Sequence, residues 1–320
     1  VIAPPGDDGT DAGGPAPADQ LADLHAHGWL HCALPEASGG LGFGVDAAAL
    51  IAGGLARGCR AEPVAACFMA ARMLALLAPD SSLAAELATG GQPVSLADEP
   101  LGMVGGRPAG TLPRMPLAQV CLVVAEDMLF AVSGPVEAGT RLDGVPLASF
   151  DVRRAEATPL ARGPEVPAAL RQVRAEGRLV VAAELLAHAE VMLDITLDHM
   201  RTRQQFGQSL GHFQALQHKA VDLYGAVLLS RAVLDTAIAR AAPGLAPDDL
   251  DRLPCRSKAR ANDGAMAMAR GAIQMFGALG ITEEGPLTPH VRRVLALVPR
   301  LGTSAELRRA YTRIGRVLTR

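Results

Sequence analysis

The residues most able to do chemistry stand in one polar stretch, Arg203-Gln204-Gln205-Phe206-Gly207-Gln208-Ser209-Leu210-Gly211-His212-Phe213-Gln214-Ala215-Leu216-Gln217, between two long helical patterns. It places a guanidinium, side-chain amides and backbone N–H groups just ahead of a helix N-terminus. Such a combination complements phosphate or pyrophosphate, because the guanidinium binds an oxyanion with two parallel hydrogen bonds and the first-turn amides donate to a negative charge. The same residues also suit a capped interhelical turn, and composition leaves both readings open. A second stretch, Gln274-Met275-Phe276-Gly277-Ala278-Leu279-Gly280-Ile281-Thr282, turns the chain at the end of a third helical pattern. Gly277 and Gly280 there either admit a ligand close to the main chain or simply stop the helix.

The elements that must position these stretches follow from periodicity. Residues 1–18 hold almost no large apolar side chain and are broken by Pro and Gly, which reads as a flexible leader. Residues 19–89 are rich in Ala and Leu, with Leu50, Leu55, Met69, Met73 and Leu77 at helical spacings, and are interrupted by the loop Leu34-Pro35-Glu36-Ala37-Ser38-Gly39-Gly40-Leu41-Gly42. Residues 90–160 switch to short β-type runs. Val120, Leu122, Val123 and Val124 lead through the turn Ala125-Glu126-Asp127 into Leu129, Phe130, Ala131 and Val132, so a small sheet of hairpins is expected. Residues 161–320 are strongly helical. From Glu165 a long helix carries Leu179, Ala182, Leu186, Ala189, Leu193, Leu197 and Met200 at steps of three or four, with Glu184, His188, Asp194, Asp198 and Arg201 assigned to the opposite, polar face. A second pattern runs through Leu216 to Ile238 and a third from about Pro247 to Phe276, and long antiparallel helices of this kind make a bundle.

Composition removes several function classes. Across 320 residues, 49% are hydrophobic and 20% charged, the profile of an ordinary globular chain that needs no disulfide or metal staple. The net charge of −3 comes from interspersed signs, so no single-sign field attracts nucleic acid or an anionic bilayer, and neither partner is expected. No apolar run reaches bilayer-spanning length, and no export signal opens the sequence. The five cysteines, Cys32, Cys59, Cys67, Cys121 and Cys255, are odd in number and never spaced as C-x-x-C, which argues against a disulfide framework and for a reducing cytoplasm. No metal is expected either: His25, His27 and His31 are read as falling on different sides of a helix with no acidic or cysteine partner. The late arginines, Arg292, Arg293, Arg300, Arg308, Arg309, Arg313, Arg316 and Arg320, suit CoA phosphates in charge but read rather as the solvated face of terminal helices.

Taken together, the two polar stretches resemble the C-terminal domain of the acyl-CoA dehydrogenase family, in which the first reads R-x-x-F-G ahead of a Gln-containing helix start and the second Q-x-x-G-G-x-G. Gly28-Trp29, Pro35-Glu36 and Gly39-Gly40-Leu41-Gly42 resemble the same family's N-terminal G-W, P-E and G-G-x-G signature. The resemblance covers about residues 19–318. It implies a mainly α protein with a small β domain: an N-terminal helical domain, a middle β-sheet domain and a C-terminal four-helix bundle.

The resemblance also implies FAD, with the flavin on the middle domain of one subunit and the ADP half on the helical domain of its neighbour. Carried over residue by residue, Arg203, Gln205 and Phe206 meet the pyrophosphate and adenosine with help from Gln214. Gln274, Gly277 and Ala278 approach the same cofactor, Ala278 standing where the family usually has glycine. The family's reaction removes a proton alpha to a CoA thioester carbonyl with a carboxylate base while hydride leaves the beta carbon for the flavin.

Here the sequence departs from the pattern. Matching the E-G-T-type element puts Leu301-Gly302-Thr303 on it, and matching the first bundle helix puts Gly177 at the alternative base position, so both are vacant and no catalytic residue is assigned. Glu176 is one residue off, a rotation of about 100° on a helix. Glu283 and Glu284 lie in a turn where family members carry non-catalytic acids. Ser95-Leu96-Ala97-Asp98-Glu99-Pro100 resembles the T-E-P segment without its G-S-D continuation, and the only tryptophan, Trp29, is far from any flavin-covering position.

These losses imply a chain that pairs with a related subunit supplying the base and the flavin platform, as in bacterial α2β2 members with half the usual FAD, which take CoA thioesters with bulky groups such as steroid side chains. The alternatives are a structural or regulatory protein that has lost the cofactor, and a self-sufficient enzyme with a displaced carboxylate at Glu176 or Glu283.

Overall fold

The expected helical spacings in the N-terminal part become three helices in a computed structural model that describes residues 24–318, apart from 60–63, 90–92, 110, 117–119, 135, 141, 143–145, 153–154, 243 and 247–248. The leader expected over residues 1–18 lies outside the described residues. Helix α1 (Val45–Arg57) buries Val45, Ala48, Ala49, Ala52, Leu55 and Ala56, one stripe at steps of three and four. Helix α2 (Val64–Leu77) is buried on nearly every side over Val64–Ala71 and is the centre of this layer. Helix α3 (Ser82–Ala88) starts at Ser81, whose hydroxyl oxygen accepts from the Ala84 N–H at 3.2 Å.

The Gly-rich loop ahead of α1 is folded tightly on itself. The Gly40 N–H donates to Pro35 O and the Gly42 N–H to Leu34 O, and a Cβ on Gly40 would stand 2.2 Å from the Leu34 carbonyl oxygen. Backbone on both sides cannot yield as a side chain would. Gly40→Ala is therefore expected to lower the unfolding free energy by about 1–3 kcal/mol, the range of a forced overpacking, read as a shifted denaturant midpoint.

Among the described residues, the middle segment holds nine strands: β1 (Val94–Leu96), β2 (Gly102–Val104), β3 (Arg107–Ala109), β4 (Thr111–Pro116), β5 (Val120–Ala125), β6 (Met128–Ser133), β7 (Val136–Thr140), β8 (Pro146–Asp151) and β9 (Glu156–Arg162). They form a four-stranded sheet in the order β1-β5-β6-β9, a three-stranded sheet β4-β8-β7 and the hairpin β2-β3. The expected β5–β6 hairpin pairs Ala125 with Met128 across Glu126 and Asp127, with Glu126 at φ +53°, the left-handed conformation a tight two-residue turn demands. Hairpins do not account for everything: β1 runs parallel to β5, bringing the end of the helical segment into the sheet. The face built on Cys121, Val123, Phe130 and Val132 closes a small core of its own.

Helix α4 (Glu165–Thr202) begins where the sequence places it and, at 38 residues, is the axis of the molecule. The hairpin β10 (Gln204–Gln205) with β11 (Gln208–Ser209) leads from it to α5 (Gln214–Ala241); α6 (Arg252–Phe276), α7 (Thr288–Leu297) and α8 (Ser304–Leu318) complete the helical part. Helix α4 packs on α1, α2, α5, α6 and α7, and the resulting apolar core is continuous from Leu24 to Leu301. Among the described residues, no helix is long and apolar enough to cross a membrane.

Because α4 is surrounded, the amphipathic reading of its middle needs correcting: Glu184 and His188 are buried, not solvated. Their partners come from α7. Arg293 Nε donates to Glu184 Oε1 at 2.6 Å, and the Nδ1 atoms of His188 and His290 lie 2.9 Å apart. Burial pushes the His188 imidazole down to about 3 and that of His290 to about 4. Arg293 thus leaves the solvated arginine face expected for the terminal helices, as does Arg300, which is nearly buried and lies 3.5 Å from Asp98. The N-terminal histidines differ from expectation too: the helix ends at Ala26, the chain turns at Gly28 (φ +74°), and the His25 and His31 rings come within 5.0 Å.

Candidate functional site

Arg203 closes α4, and the chain then makes its hairpin: Gln204 pairs with Ser209 and Gln205 with Gln208. The two tip residues, Phe206 (φ +53°) and Gly207 (φ +81°), both take the left-handed conformation of a type I′ turn. Glycine adopts it freely, while phenylalanine does so at a cost of about 1 kcal/mol or more. The Leu210 N–H donates to Arg203 O, closing the loop at its base. The Phe206 ring is 91% exposed, in contact with the edge of Phe213, and Arg203, Gln205 and Gln214 are exposed with it.

The second stretch is brought to the same end of the helical part. The Phe276 ring stacks on His199, four residues before Arg203, with centroids 3.9 Å apart. Gln274 Oε1 accepts from the Lys219 ammonium, one turn into α5 from Gln214. Gly277 has φ +62°, and a Cβ there would meet nothing within 4 Å. Gln274, Gly277 and Ala278 are all exposed, and Leu279 and Ile281 add exposed apolar surface. The two stretches that the sequence separates thus form one surface of amide donors, an aromatic ring and open main chain around a guanidinium. Among the described residues, no carboxylate pairs with Arg203. This donor set fits the pyrophosphate and adenosine half of a dinucleotide: the cation is uncommitted and the glycine leaves room for a ligand against the backbone.

Asp98 lies beside Arg300, and Glu99 accepts from Arg174, so the strand end that follows β1 is tied to α4 and to the connector after α7. A cleft of about 510 Å³ remains between the sheet and α4, lined by Leu101, Val124, Leu170, Arg171, Arg174 and Arg178 among others. Arg171 in it pairs with Asp251.

Neither vacant base position lines that cleft. Gly177 and Leu301 instead meet each other in the core. A Cβ on Gly177 would lie 2.3 Å from Met69 Sδ and 3.1 Å from Leu301 Cδ1, and Leu301 is 3% exposed. The volume beside Gly177 is filled by a methionine and a leucine.

Several hydrogen bonds fix the Leu301 segment. Leu301 (φ +56°) and Gly302 (φ +118°) form a turn whose carbonyls accept from Arg178 Nε at 3.1 Å and Asn262 Nδ2 at 3.3 Å. Thr303 and Glu306 cap α8 reciprocally: the Thr303 N–H donates to Glu306 Oε2 and the Glu306 N–H to Thr303 Oγ1.

The substitute acids are engaged elsewhere. Glu176 accepts from Arg72 Nε at 2.8 Å and Nη2 at 3.1 Å and from Gln172 at 3.0 Å, a bidentate pair that in turn raises the Arg72 pKa. Glu283 accepts from Arg292 on the surface.

One side chain in this neighbourhood escaped the sequence reading. Lys258, 0% exposed, donates from α6 to the carbonyls of Leu297 and Val298, both at 3.3 Å, and to Asn262 Oδ1. It holds the last turn of α7 and thereby the turn carrying Leu301. Only two lysines in the chain, one of them inside an otherwise apolar helix face, was the available signal. Burial first, then Arg300 and Arg178, push the ammonium from its ordinary 10.5 down to about 7, against the opposing pull of Glu184 and Asp98. In the unfolded chain the group titrates near 10.5, so between about pH 7 and 10.5 the unfolded state binds more protons. Stability from this group therefore rises with pH across that window. Lys258→Met is expected to flatten the rise, measured as the pH dependence of the urea midpoint from pH 7 to 10.

Residues 168–314 match the family model described as acyl-CoA dehydrogenase, C-terminal domain. The chain is 27% identical to acyl-CoA dehydrogenase IpdE2 of Mycobacterium tuberculosis over 81% of its own length and 74% of that protein. It is 33% identical to probable acyl-CoA dehydrogenase FadE25 of the same organism, over only 36% of its own length and 29% of the relative. Among solved structures, it superposes on the ChsE4-ChsE5 complex from Mycobacterium tuberculosis with a TM-score of 0.81, 23% identity and coverage of 94% of this chain and 88% of that one. Butyryl-CoA dehydrogenase from Megasphaera elsdenii gives 0.80, 18%, 94% and 90%. The sequence motifs, the helix-sheet-helix architecture and these matches agree: residues 168–314 belong to the acyl-CoA dehydrogenase C-terminal domain family, and the chain as a whole is similar to acyl-CoA dehydrogenases.

Proposed function

We propose that this chain is one subunit of a heteromeric FAD-dependent acyl-CoA dehydrogenase. It contributes the ADP half of a shared cofactor site, while a related partner subunit supplies the carboxylate base and the flavin platform. The observation that carries this reading is the contrast between two places in one chain. The Arg203 hairpin and the Gln274–Ala278 turn stay open with their donors exposed, whereas Met69, Gly177 and Leu301 close the place where the base would act.

When bound, FAD supplies the two-electron acceptor for the hydride that leaves the beta carbon. This chain's own residues bind and orient. The Arg203 guanidinium neutralises the pyrophosphate, Gln205, Gln214 and Gln274 offer amides, Gly277 and Ala278 keep the main chain accessible, and Phe206 covers the adenosine. Proton abstraction takes place on the partner, since Glu176 is spent on Arg72.

A bulky, steroid-type CoA thioester is the substrate class this reading favours. Its support is the structural likeness to a variant of the Tcur3481-Tcur3483 steroid ACAD, with a TM-score of 0.82 at 23% identity, and to the ChsE4-ChsE5 complex. A heterotetramer in the cytoplasm completes the assignment.

The test is co-expression with the product of the adjacent gene. Expected are a stable complex, about one FAD for each pair of chains, and desaturation that this chain alone lacks. A colourless complex favours the structural, cofactor-free alternative, and full turnover by this chain alone refutes the division of labour.

A further inference from the structure

We propose that Cys59, His188 and His290 form a zinc site that ties the end of α1 to the α4–α7 pair. The three side chains come from three separate elements, and each offers one ligand atom to a group in which all lie within 4.8 Å of one another. Tetrahedral zinc, with Zn–N near 2.0–2.1 Å and Zn–S near 2.3 Å, needs ligand atoms about 3.3–3.6 Å apart. The imidazole nitrogens, 2.9 Å apart, must open by about 0.4 Å, and the thiolate must close by at most about 1.2 Å, within the reach of side-chain rotation.

The two imidazoles are buried and meet each other through their Nδ1 atoms, and the turn after Gly58, with Cys59 at φ +53°, brings the thiol beside them. The Glu184–Arg293 pair stands one turn away on both helices and ties α4 to α7 beside the cluster.

The donor set selects the ion. One thiolate and two imidazoles suit a thiophilic, borderline-soft cation and disfavour magnesium or calcium, which take oxygen ligands. Three protein ligands leave a fourth position, and Cys59, only half-buried, places it toward solvent.

The site is independent of the cofactor reading, and its test needs no turnover. The full chain, purified alone or in whatever complex it is recovered in and with chelators omitted, is analysed for metal by mass spectrometry, then stripped and titrated with Co²⁺. Expected is stoichiometric zinc, and on cobalt loading a thiolate-to-metal charge-transfer band. Cys59→Ser, a near-isosteric change at a half-buried position, should remove that band and weaken zinc binding by more than about a hundredfold, beyond the about 10–100-fold losses typical of outer-shell changes alone. His290→Gln should weaken binding similarly. Absence of zinc or cobalt uptake by the wild-type protein, or a band and affinity that survive Cys59→Ser, overturns the proposal.

Discussion

Gly177→Glu, which installs a carboxylate at one of the two family base positions, is expected to destabilise the chain by at least about 3 kcal/mol and to confer no desaturation on it. The first contribution is steric. The Cβ alone would stand 2.3 Å from Met69 Sδ and 2.9 Å from Met69 Cγ, atoms in the middle of a side chain that is itself 0% exposed, so the neighbour cannot swing aside into solvent. Overpacking of this kind costs about 1–3 kcal/mol. The second is electrostatic: the rest of the glutamate must enter a region lined by Met69 and Leu301, and a polar group buried without a hydrogen bond costs about 2–7 kcal/mol. The carboxyl would respond by staying protonated, which removes the very basicity it was meant to restore. Gly177→Ala separates the terms, since it carries the clash and gains up to about 1 kcal/mol of helix propensity. The check is a pair of urea titrations with a dehydrogenation assay alongside. A Gly177→Glu variant with an unchanged midpoint would mean that the volume is not filled, and one with activity would return the base to this chain.

How far the sequence reveals these features depends on whether the determining contacts are local. Helix α4 starts at Glu165 as its periodicity indicates, and the β5–β6 turn falls on Glu126 and Asp127, because spacing and turn chemistry act within a few residues. Each polar stretch of the candidate site is legible in the same way: Phe206-Gly207 is a turn in sequence and a turn in space. The misreading of Glu184 and His188 has the opposite origin. Their spacing is that of a solvated stripe, and what buries them is α7, more than a hundred residues later, which brings Arg293 and His290 to them. The same distance hides the meeting of Met69, Gly177 and Leu301. A family pattern marks Gly177 and Leu301 as vacant one at a time, but only packing shows that they occupy one volume and that Met69 fills what is left. Lys258 is a third instance, since its role lies in carbonyls freed by the end of a helix that no local rule connects to it.

Arg203→Ala is expected to weaken FAD binding by the complex about ten- to a hundredfold while leaving this chain's stability within about 0.5 kcal/mol. The asymmetry follows from where the side chain stands. Arg203 is exposed at the end of α4, and its structural duties are carried by its backbone, whose N–H donates to His199 O and whose carbonyl accepts from Leu210. An exposed truncation of that kind changes stability by no more than about 0.5 kcal/mol. Toward a pyrophosphate the same guanidinium makes charge-assisted hydrogen bonds worth about 1.5–3 kcal/mol, hence the factor of ten to a hundred. Arg203→Lys is the discriminating control: it keeps the charge and loses the planar fork, so a bidentate contact predicts that it recovers only part of the affinity, whereas a diffuse attraction predicts full recovery. Phe206→Ala adds a second reading of the same surface. With its ring 91% exposed, the residue contributes little to the core, and alanine, which also carries a Cβ, keeps the left-handed turn at about the same cost. The variant should be as stable as the parent, and any drop in retained flavin reports contact with the cofactor. The measurement is the flavin absorbance retained by the assembled complex after dialysis, beside the denaturant midpoint of each variant. Equal flavin retention in Arg203→Ala and the parent would place the dinucleotide elsewhere, and with it the surface across which this chain meets its partner.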